Sequence, residues 1–182
     1  LTADRRTHAS TRSFNNEIGV PLTVLNAPDD TEALVLEMGA RGIGHIRLLC
    51  DMGRPTVGIV TAVGAAHTSE FGSVDGVAQA KGELVESLPA AIDGGIAVLA
   101  ADQPLVAAMA ARTSARVVMF GSRDGSDADV RASDIRLDDE LVPRFRLVWP
   151  WGEADVVLGA RGVHLVDNAL AAAAAALAVG VD

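Results

Sequence analysis

Three side chains that can bind a metal ion or move a proton stand at or just after the ends of apolar runs. They are Glu37, His67 and Asp102. A carboxylate is a ligand for a hard cation such as Mg²⁺, and a histidine can bind a metal or act as an acid or base. Ligands of parallel sheets bind beyond the carboxyl ends of the strands, so we expect these side chains along one edge of a sheet. Simpler roles stay open, since Glu37 can also pair with Arg41 and a loop histidine is commonly solvated.

Lys81 is the single lysine of a chain that has fourteen arginines. It lies in a predicted helix with Glu83 and Glu86 at i+2 and i+5, which are not the spacings of helical ion pairs. Unlike a guanidinium, a lysine amine can lose its proton when its pKa is lowered, and it then reacts as a nucleophile. With CO2 it forms a carbamate, an anion that can bind a metal. The alternative is a solvated surface cation, which the preference for arginine disfavours.

Asparagine is also scarce, with four in the chain, and two of them are adjacent in "FNNEIG". Asn15 or Asn16 is expected to cap a following helix. The apolar residues of that helix, at helical spacing, predict a common anchoring face: Ile18, Leu22 and Leu25.

Asn168 precedes an alanine-rich run near the end of the chain. Its amide can donate to and accept from an adenine edge, or it can serve as a polar residue near a helix start.

Strand and helix patterns alternate over most of the chain. Apolar runs predict buried strands at residues 32–38, 56–63, 95–101 and 116–121. Helical spacings predict helices at residues 43–52, 73–88, 104–112 and 163–179, with Asp102 as the cap and Pro104 in the first turn of the third. Shorter alternating runs at residues 128–162 predict a small antiparallel β addition. We therefore predict a single α/β domain over residues 1–182, with a mostly parallel sheet flanked by helices.

Composition excludes several functional classes. The net charge of −9 repels nucleic acids and anionic membranes. The lone Cys50 cannot form an internal disulfide, and a small buried side chain is the expected role. The longest apolar run, residues 169–179, is shorter than the roughly 20 residues that a membrane span needs. We expect a cytoplasmic monomer with no nucleic-acid partner and no membrane span.

Four stretches, taken in order, resemble the Mur ligase family. They are "FNNEIGVPLTVL", "VLEMGARGIGHI", "VGIVTAVGAAHTSEFGSVDGVAQAKGEL" and "GVHLVDNALAAAAAAL". The resemblance covers residues 7–181 and is to the central ATPase domain, which has a P-loop NTPase-like fold. Within the family it is to the branch that joins D-Ala-D-Ala to UDP-N-acetylmuramoyl-tripeptide in peptidoglycan synthesis.

The resemblance implies a reaction and a set of site residues. ATP would phosphorylate the tripeptide carboxylate, and the amine of D-Ala-D-Ala would then attack the acyl phosphate. The implied roles are Mg²⁺ binding and catalysis by Glu37, His67 and carbamylated Lys81, adenine binding by Asn168 and His164, and contact with the tripeptide substrate by Asn15 and Asn16.

The sequence departs from the family at several points. It has no glycine-rich phosphate loop ending in Gly-Lys-Thr or Gly-Lys-Ser, because its only lysine lies in "AKGE". The family's N-terminal uridine-nucleotide domain and C-terminal domain are also missing from the 182 residues. Ala62 stands where relatives usually have Asn, and Thr68 where many have Leu. We therefore expect the chain to be inactive as a ligase by itself, and its parent protein to be active.

Other functions remain open from the sequence. The first is a related ligase for another amino acid, similar to the meso-diaminopimelate-adding, cyanophycin or folylpolyglutamate enzymes. The second is a non-catalytic nucleotide-fold module that holds partners. The third is a metal hydrolase that uses Glu37, His67 and Asp102.

Overall fold

The computed structural model describes residues 1–11, 13–64 and 71–181. Its strands are β1 (Thr7–Ala9), β2 (Ala33–Val35), β3 (Val57–Val60), β4 (Ile96–Ala100), β5 (Arg116–Gly121), β6 (Val130–Leu137), β7 (Pro143–Trp149) and β8 (Gly152–Val157). Its helices are α1 (Gly19–Leu25), α2 (His45–Gly53), α3 (Val74–Glu86), α4 (Pro104–Ala107) and α5 (Leu165–Ala178), with 3-10 turns at Ala91–Asp93 and Ala108–Arg112. Among the described residues, no helix combines the length and the apolar character that crossing a membrane requires.

The strands form two sheets. A small sheet pairs β1 with β2 in parallel, and a larger one has the order β3-β4-β5-β6-β7-β8. Pairing is parallel from β3 to β6 and antiparallel from β6 to β8. The predicted parallel sheet and antiparallel addition are therefore confirmed, and the antiparallel strands extend the parallel sheet rather than forming a separate layer.

The core lies between the larger sheet and its helices. Every residue of β4 is buried, as expected for a central strand covered on both faces. Helix α5 packs on β3, β4, β5 and β6, and its buried residues include Leu170 and Ala174. A second, smaller cluster of Val20, Ile46, Leu49 and Cys50 joins α1 to α2, and it confirms the buried position predicted for the cysteine.

Contrary to the prediction, the short apolar run at residues 32–38 does not form a buried strand over its whole length. Only Ala33–Val35 is a strand, and Leu34 and Val35 are 36% and 45% exposed. The strand that pairs with it, β1, was not predicted because three residues carry too little pattern to show a period. The two-stranded sheet leaves one edge of β2 without a partner among the described residues.

Helix α1 presents the opposite face from the one predicted. Its buried residues are Gly19, Val20 and Thr23, and it packs against α2. The predicted anchoring residues are exposed: Ile18 at 65%, Leu22 at 42% and Leu25 at 80%. Helical spacing identifies residues on one face, and the position of α2 decides which face is buried.

Helix α5 runs in the direction opposite to the parallel strands. Arg116, at the start of β5, donates from its Nη2 to the carbonyl oxygen of Ala178 at 2.8 Å. Arg5, just before β1, donates to the carbonyl oxygen of Val179 at 2.6 Å. The end of α5 therefore lies where the strands begin, so α5 begins at the carboxyl edge of the sheet.

Candidate functional site

Lys81 projects from the middle of α3 to the chain that leaves β3. Its Nζ donates to the carbonyl oxygen of Ala62 at 2.7 Å, and the side chain is half-buried. Burial lowers the pKa of the Lys81 amine below its ordinary value, and no carboxylate of the described residues offsets that effect. The expectation that Glu83 and Glu86 do not pair with Lys81 is confirmed, since both carboxylates have other partners. The amine is therefore easier to deprotonate than that of an exposed lysine.

Gly82, the next residue of "AKGE", leaves room for the guanidinium group of Arg112. A Cβ at this position would overlap the guanidinium of Arg112. That guanidinium donates to the carbonyl oxygens of Ala78 and Gln79 at 3.2 and 3.0 Å, and to Glu86 at 2.8 Å from Nη2 and 3.0 Å from Nε. The glycine thus lets Arg112 tie the turn below Lys81 to the neighbouring 3-10 turn.

Glu83, the last residue of "AKGE", has a structural role that the sequence did not reveal. Its side chain is 4% exposed, and its carboxylate accepts hydrogen bonds from the backbone N–H groups of Gly44 and Arg47. Those N–H groups belong to the start of α2, where the helix has no carbonyl partners of its own. A side chain of α3 therefore caps α2 and fixes the two helices relative to each other.

Glu37 lies two residues after β2, and Asn15 holds it in place. The Asn15 Nδ2 donates to Glu37 Oε1 at 2.8 Å, and the Asn15 carbonyl accepts from the N–H of Gly39 at 2.7 Å. The Glu37 N–H donates to Ser10 Oγ at 3.3 Å. Among the described residues, Glu37 Oε2 accepts no hydrogen bond, so one carboxylate oxygen is available to a ligand.

The remaining residues of "NNE" fix the same region. Asn16 Oδ1 accepts from the N–H groups of Ile18 and Gly19 at 3.2 and 2.8 Å, so Asn16 is the residue that caps α1. Glu17 contacts His45 Nε2 at 3.2 Å, which ties the segment before α1 to the first residue of α2. The predicted cap is confirmed and assigned to Asn16, whereas Asn15 orients Glu37.

Glu37 and Lys81 line one cleft of about 800 Å³ between β2 and β3. The cleft opens between the small sheet and the larger one, with α2, α3 and the end of α5 around it. A carboxylate and a carbamate would both offer oxygen atoms, which suit Mg²⁺. Among the described residues, no three metal-binding side chains form a cluster. Of the three predicted metal ligands, the structure describes Glu37 and Lys81. His67, the third predicted ligand, lies outside the described residues.

His164 and Asn168 stand at the start of α5. His164 precedes the first turn and Asn168 follows four residues later, so the two side chains share one face of the helix, and both are exposed. Since α5 begins at the carboxyl edge of the sheet, that face lies on the side where β2 and β3 end. The positions of His164 and Asn168 agree with a ligand-binding site at this edge of the sheet. Their contact with adenine stays a prediction.

Asp102 does not cap α4 as predicted. Its Oδ2 accepts from the N–H groups of Ser122 and Arg123 at 2.7 and 3.0 Å, and Gln103 precedes the helix without a side-chain cap. Pro104 does occupy the first turn, as expected. The two amide contacts tie Asp102 to the loop after β5, which gives the carboxylate a structural role at this edge.

The sequence matches the Mur ligase middle domain family over residues 1–176. The chain belongs to the Mur ligase middle domain family. Its architecture agrees with solved members at full coverage. A crystal structure of MurF from Acinetobacter baumannii superposes with a TM-score of 0.91 at 32% identity, covering all of this chain and 39% of that one. MurF from Thermotoga maritima, solved in complex with ADP, superposes with a TM-score of 0.86 at 26% identity over 100% of this chain and 41% of that one.

A curated relative from Mycobacterium tuberculosis (strain ATCC 25618 / H37Rv) is 49% identical over 170 residues. It is named UDP-N-acetylmuramoyl-tripeptide–D-alanyl-D-alanine ligase. The alignment covers 93% of this Mur ligase middle domain and 32% of the relative. The chain thus spans about a third of the length of the relative it matches.

Proposed function

We propose that this Mur ligase middle domain is the ATP-binding part of a ligase that joins D-Ala-D-Ala to UDP-N-acetylmuramoyl-tripeptide. One observation carries the proposal: the only lysine is half-buried, has a lowered pKa, and shares a cleft with a carboxylate held by an asparagine. The name of the 49% identical relative supports the choice of substrates. The ADP bound to the similar MurF from Thermotoga maritima supports the use of ATP. The reaction would take place in the cytoplasm.

The proposed reaction has two steps. A carboxylate oxygen of the tripeptide attacks the γ-phosphorus of ATP, the bond to the β,γ-bridging oxygen breaks, and ADP leaves. The amine of D-Ala-D-Ala then attacks the acyl carbon, the bond to the phosphate oxygen breaks, and the nitrogen loses a proton as the amide forms. Both steps depend on placing negatively charged oxygens close together, so catalysis is mainly positioning and charge stabilisation.

Glu37, Lys81 as its carbamate and His67 would hold Mg²⁺, which neutralises charge on phosphate oxygens when bound. Carbamate formation joins the neutral Lys81 nitrogen to the carbon of CO2 and releases the nitrogen's proton. The lowered pKa of Lys81 supports this step, because the neutral amine forms at a lower pH. Asn15 would orient the Glu37 carboxylate so that Oε2 faces the ligand.

At the same edge of the sheet, His164 and Asn168 would contact adenine from the start of α5. The exposed amide of Asn168 can pair with a base edge, and the imidazole of His164 one turn earlier can lie against the base. Asn15 and Asn16 would lie on the side of the tripeptide. We assign direct substrate contact to Asn15, because the Asn16 side-chain oxygen is already bonded to two backbone N–H groups.

A chimeric enzyme tests the proposal. The aligned 170 residues of the Mycobacterium tuberculosis relative would be replaced by those of this chain. Supplied with ATP, Mg²⁺ and UDP-N-acetylmuramoyl-tripeptide, the chimera should release phosphate when D-Ala-D-Ala is added. It should release much less with meso-diaminopimelate or glutamate.

The chain by itself is the matched control. Its single lysine follows Ala80 in "AKGE", so the 182 residues contain no phosphate-loop lysine, and the isolated chain should release no phosphate. A folded chimera that turns over with none of the three amines would favour the non-catalytic module. A preference for glutamate or meso-diaminopimelate would assign the chain to a related ligase.

A further inference from the structure

One buried carboxylate joins the segment that carries Glu37 to the helix that carries Lys81. Glu37 lies in the connection between β2 and α2, which ends at Gly44. Lys81 lies in α3, two residues before Glu83. The Glu83 carboxylate accepts from the N–H groups of Gly44 and Arg47, the second at 3.1 Å. A single side chain therefore links the end of the Glu37 segment to the helix of the amine.

The apolar contact between α2 and α3 does not fix their relative position by itself. Leu84 of α3 packs against the cluster that contains Ile46 and Leu49 of α2. Hydrophobic contact is non-directional, so it favours close approach but lets one helix slide along the other. Hydrogen bonds to backbone N–H groups are short and directional. The Glu83 carboxylate therefore sets the register that the apolar contact leaves open.

A second carboxylate contacts the same helices but holds them less firmly. Glu86, three residues after Glu83, pairs with Arg47 of α2 at 2.7 Å and with Arg112 at 2.8 Å. The side chains of Glu86 and Arg47 are 30% and 53% exposed, whereas Glu83 is 4% exposed. An exposed pair of long, flexible side chains can keep its contact while the helices move. Glu86 is therefore a control for a contact that joins the helices without fixing their position.

The connection that carries Glu37 is held near both of its ends. Close to β2, Asn15 accepts from the N–H of Gly39 and donates to Glu37. At the start of α2, Glu83 accepts from the N–H of Gly44. Three of the eight residues from Glu37 to Gly44 are glycines, which allow many backbone conformations. Contacts therefore have to hold this segment, and Glu83 supplies the one at its far end.

We infer that Glu83 is a positioning residue of the proposed ligase, which sets where the Lys81 amine lies relative to the Glu37 carboxylate. The inference rests on the proposed function, in which these two side chains help to hold Mg²⁺. Mg²⁺ requires nearly octahedral geometry, so a small displacement of either group weakens its binding. Glu83 acts through α2 and α3 rather than by contact with a substrate, because its buried carboxylate is bonded to backbone N–H groups.

The first test follows the reactivity of Lys81 in the 182-residue chain. Glu83→Asp keeps the charge and both acceptor oxygens but shortens the side chain by one methylene group, so α2 and α3 must shift to keep the contact. Amine labelling at one fixed pH, read at Lys81 by mass spectrometry, should become at least several-fold faster. The reason is that the half-buried amine loses its place beside the Ala62 carbonyl. Glu86→Gln should leave the rate unchanged.

A stability control separates displacement of α3 from general loosening of the chain. Phe145→Leu lies on β7 in the antiparallel half, where Phe145 is 5% exposed, and it should lower the free energy of unfolding without altering α3. Labelling of Lys81 in this variant should keep the rate of the parent chain. Equal acceleration by Phe145→Leu and Glu83→Asp would assign the effect to lost stability and overturn the inference.

The second test measures turnover in the chimeric enzyme. Glu83→Asp should lower kcat by about tenfold or more, since a misplacement of about 1 Å can reduce a rate by about 10². The KM for ATP should change by less than about twofold, because the proposed adenine contacts lie at the start of α5. Glu83→Gln keeps the length of the side chain and one acceptor oxygen, so it should retain more of kcat than Glu83→Asp does.

Three further results would overturn the inference. They are an unchanged kcat in a folded Glu83→Asp chimera, an unchanged labelling rate of Lys81 in the Glu83→Asp chain, and a higher kcat for Glu83→Asp than for Glu83→Gln. The last would mean that the charge of Glu83 matters rather than its reach. An inactive chimera with Glu83 intact would refute the proposed function instead, and labelling of the chain would still decide whether Glu83 positions Lys81.

Discussion

Charged residues serve different purposes in the parallel and the antiparallel halves of the larger sheet. In the antiparallel half, Arg146 faces Asp155 and Glu153 across exposed strands at 3.3 and 3.4 Å, and the charges pair with each other in solvent. Around the parallel half, Lys81 and Glu83 contact backbone groups instead. The first arrangement balances charge at the surface, and the second fixes the position of individual atoms.

The difference indicates where chemistry can occur. An exposed ion pair contributes about 0–1 kcal/mol to stability and leaves no group prepared for a ligand. Beside β2 and β3, Glu37 and Lys81 are each held by a contact to the protein, and Glu37 Oε2 accepts no hydrogen bond among the described residues. We therefore expect substitutions near the parallel half to have large, specific effects, and those in the antiparallel half to have small ones.

The largest effect on stability should come from Glu83→Ala. Removing the carboxylate leaves two backbone N–H groups at the start of α2 without their acceptor in a buried place, which should cost about 2–4 kcal/mol. Urea unfolding of the chain measures the change. Glu83→Gln keeps an acceptor and should lose less, and Glu153→Ala in the exposed pair should lose under about 1 kcal/mol. Equal losses for Glu83→Ala and Glu153→Ala would refute the distinction between the two halves.

The adjacent asparagines should separate into a structural and a functional residue. Asn16→Ala removes the cap of α1 and should lower the free energy of unfolding by about 0.5–2 kcal/mol. Asn15→Ala should change stability less. In the chimeric enzyme it should reduce turnover or raise the KM for the nucleotide tripeptide, because Glu37 loses its orienting contact. A stable Asn15→Ala chimera with unchanged kinetics would remove Asn15 from the site.

Lys81 should titrate at a lower pH in the folded chain than in the unfolded chain. Burial lowers the pKa of the amine by disfavouring its charged form, so the neutral form appears earlier as the pH rises. Labelling with an amine-reactive reagent in metal-free buffer, read by mass spectrometry at this single lysine, should reach its half-maximal rate at a lower pH than in concentrated urea. If the pH profiles in metal-free buffer and in concentrated urea coincide, burial does not lower the pKa of the Lys81 amine.

The smallest effect should come from Arg146→Gln. Both of its carboxylate contacts are exposed and long, at 3.3 and 3.4 Å, so the free energy of unfolding should change by less than about 1 kcal/mol. The remaining difference should shrink further in concentrated salt, which screens exposed charges. A loss as large as that of Glu83→Ala would show that the antiparallel half also depends on specific charge contacts.

Sequence patterns predicted most of the fold because its central strands are long and apolar. β5 was predicted at its observed limits, and the last helix within two residues of them. The pattern was less informative around β1, β2 and α1. There, three-residue strands carry no period, and the buried face of α1 is decided by contact with α2.

The sequence indicated which residues belong to the site, but it did not indicate which residues contact each other there. The scarcity of lysine pointed to Lys81, and the adjacent asparagines pointed to a cap. The contact between Asn15 and Glu37, 22 positions apart, required the folded chain, as did the cap that Glu83 provides to α2. The role of Gly82 depends on Arg112, 30 residues later, and no local pattern contains that information.

The central claim is that Lys81 supplies a reactive amine rather than a positive charge. The most direct measurement compares the chimeric enzyme carrying Lys81 with its Lys81→Arg variant, which keeps the charge but cannot form a carbamate. We predict that kcat falls by about 10²–10³ while the unfolding midpoint of the variant stays close to that of the parent chimera. A Lys81→Arg chimera that keeps its full rate of phosphate release would contradict the account.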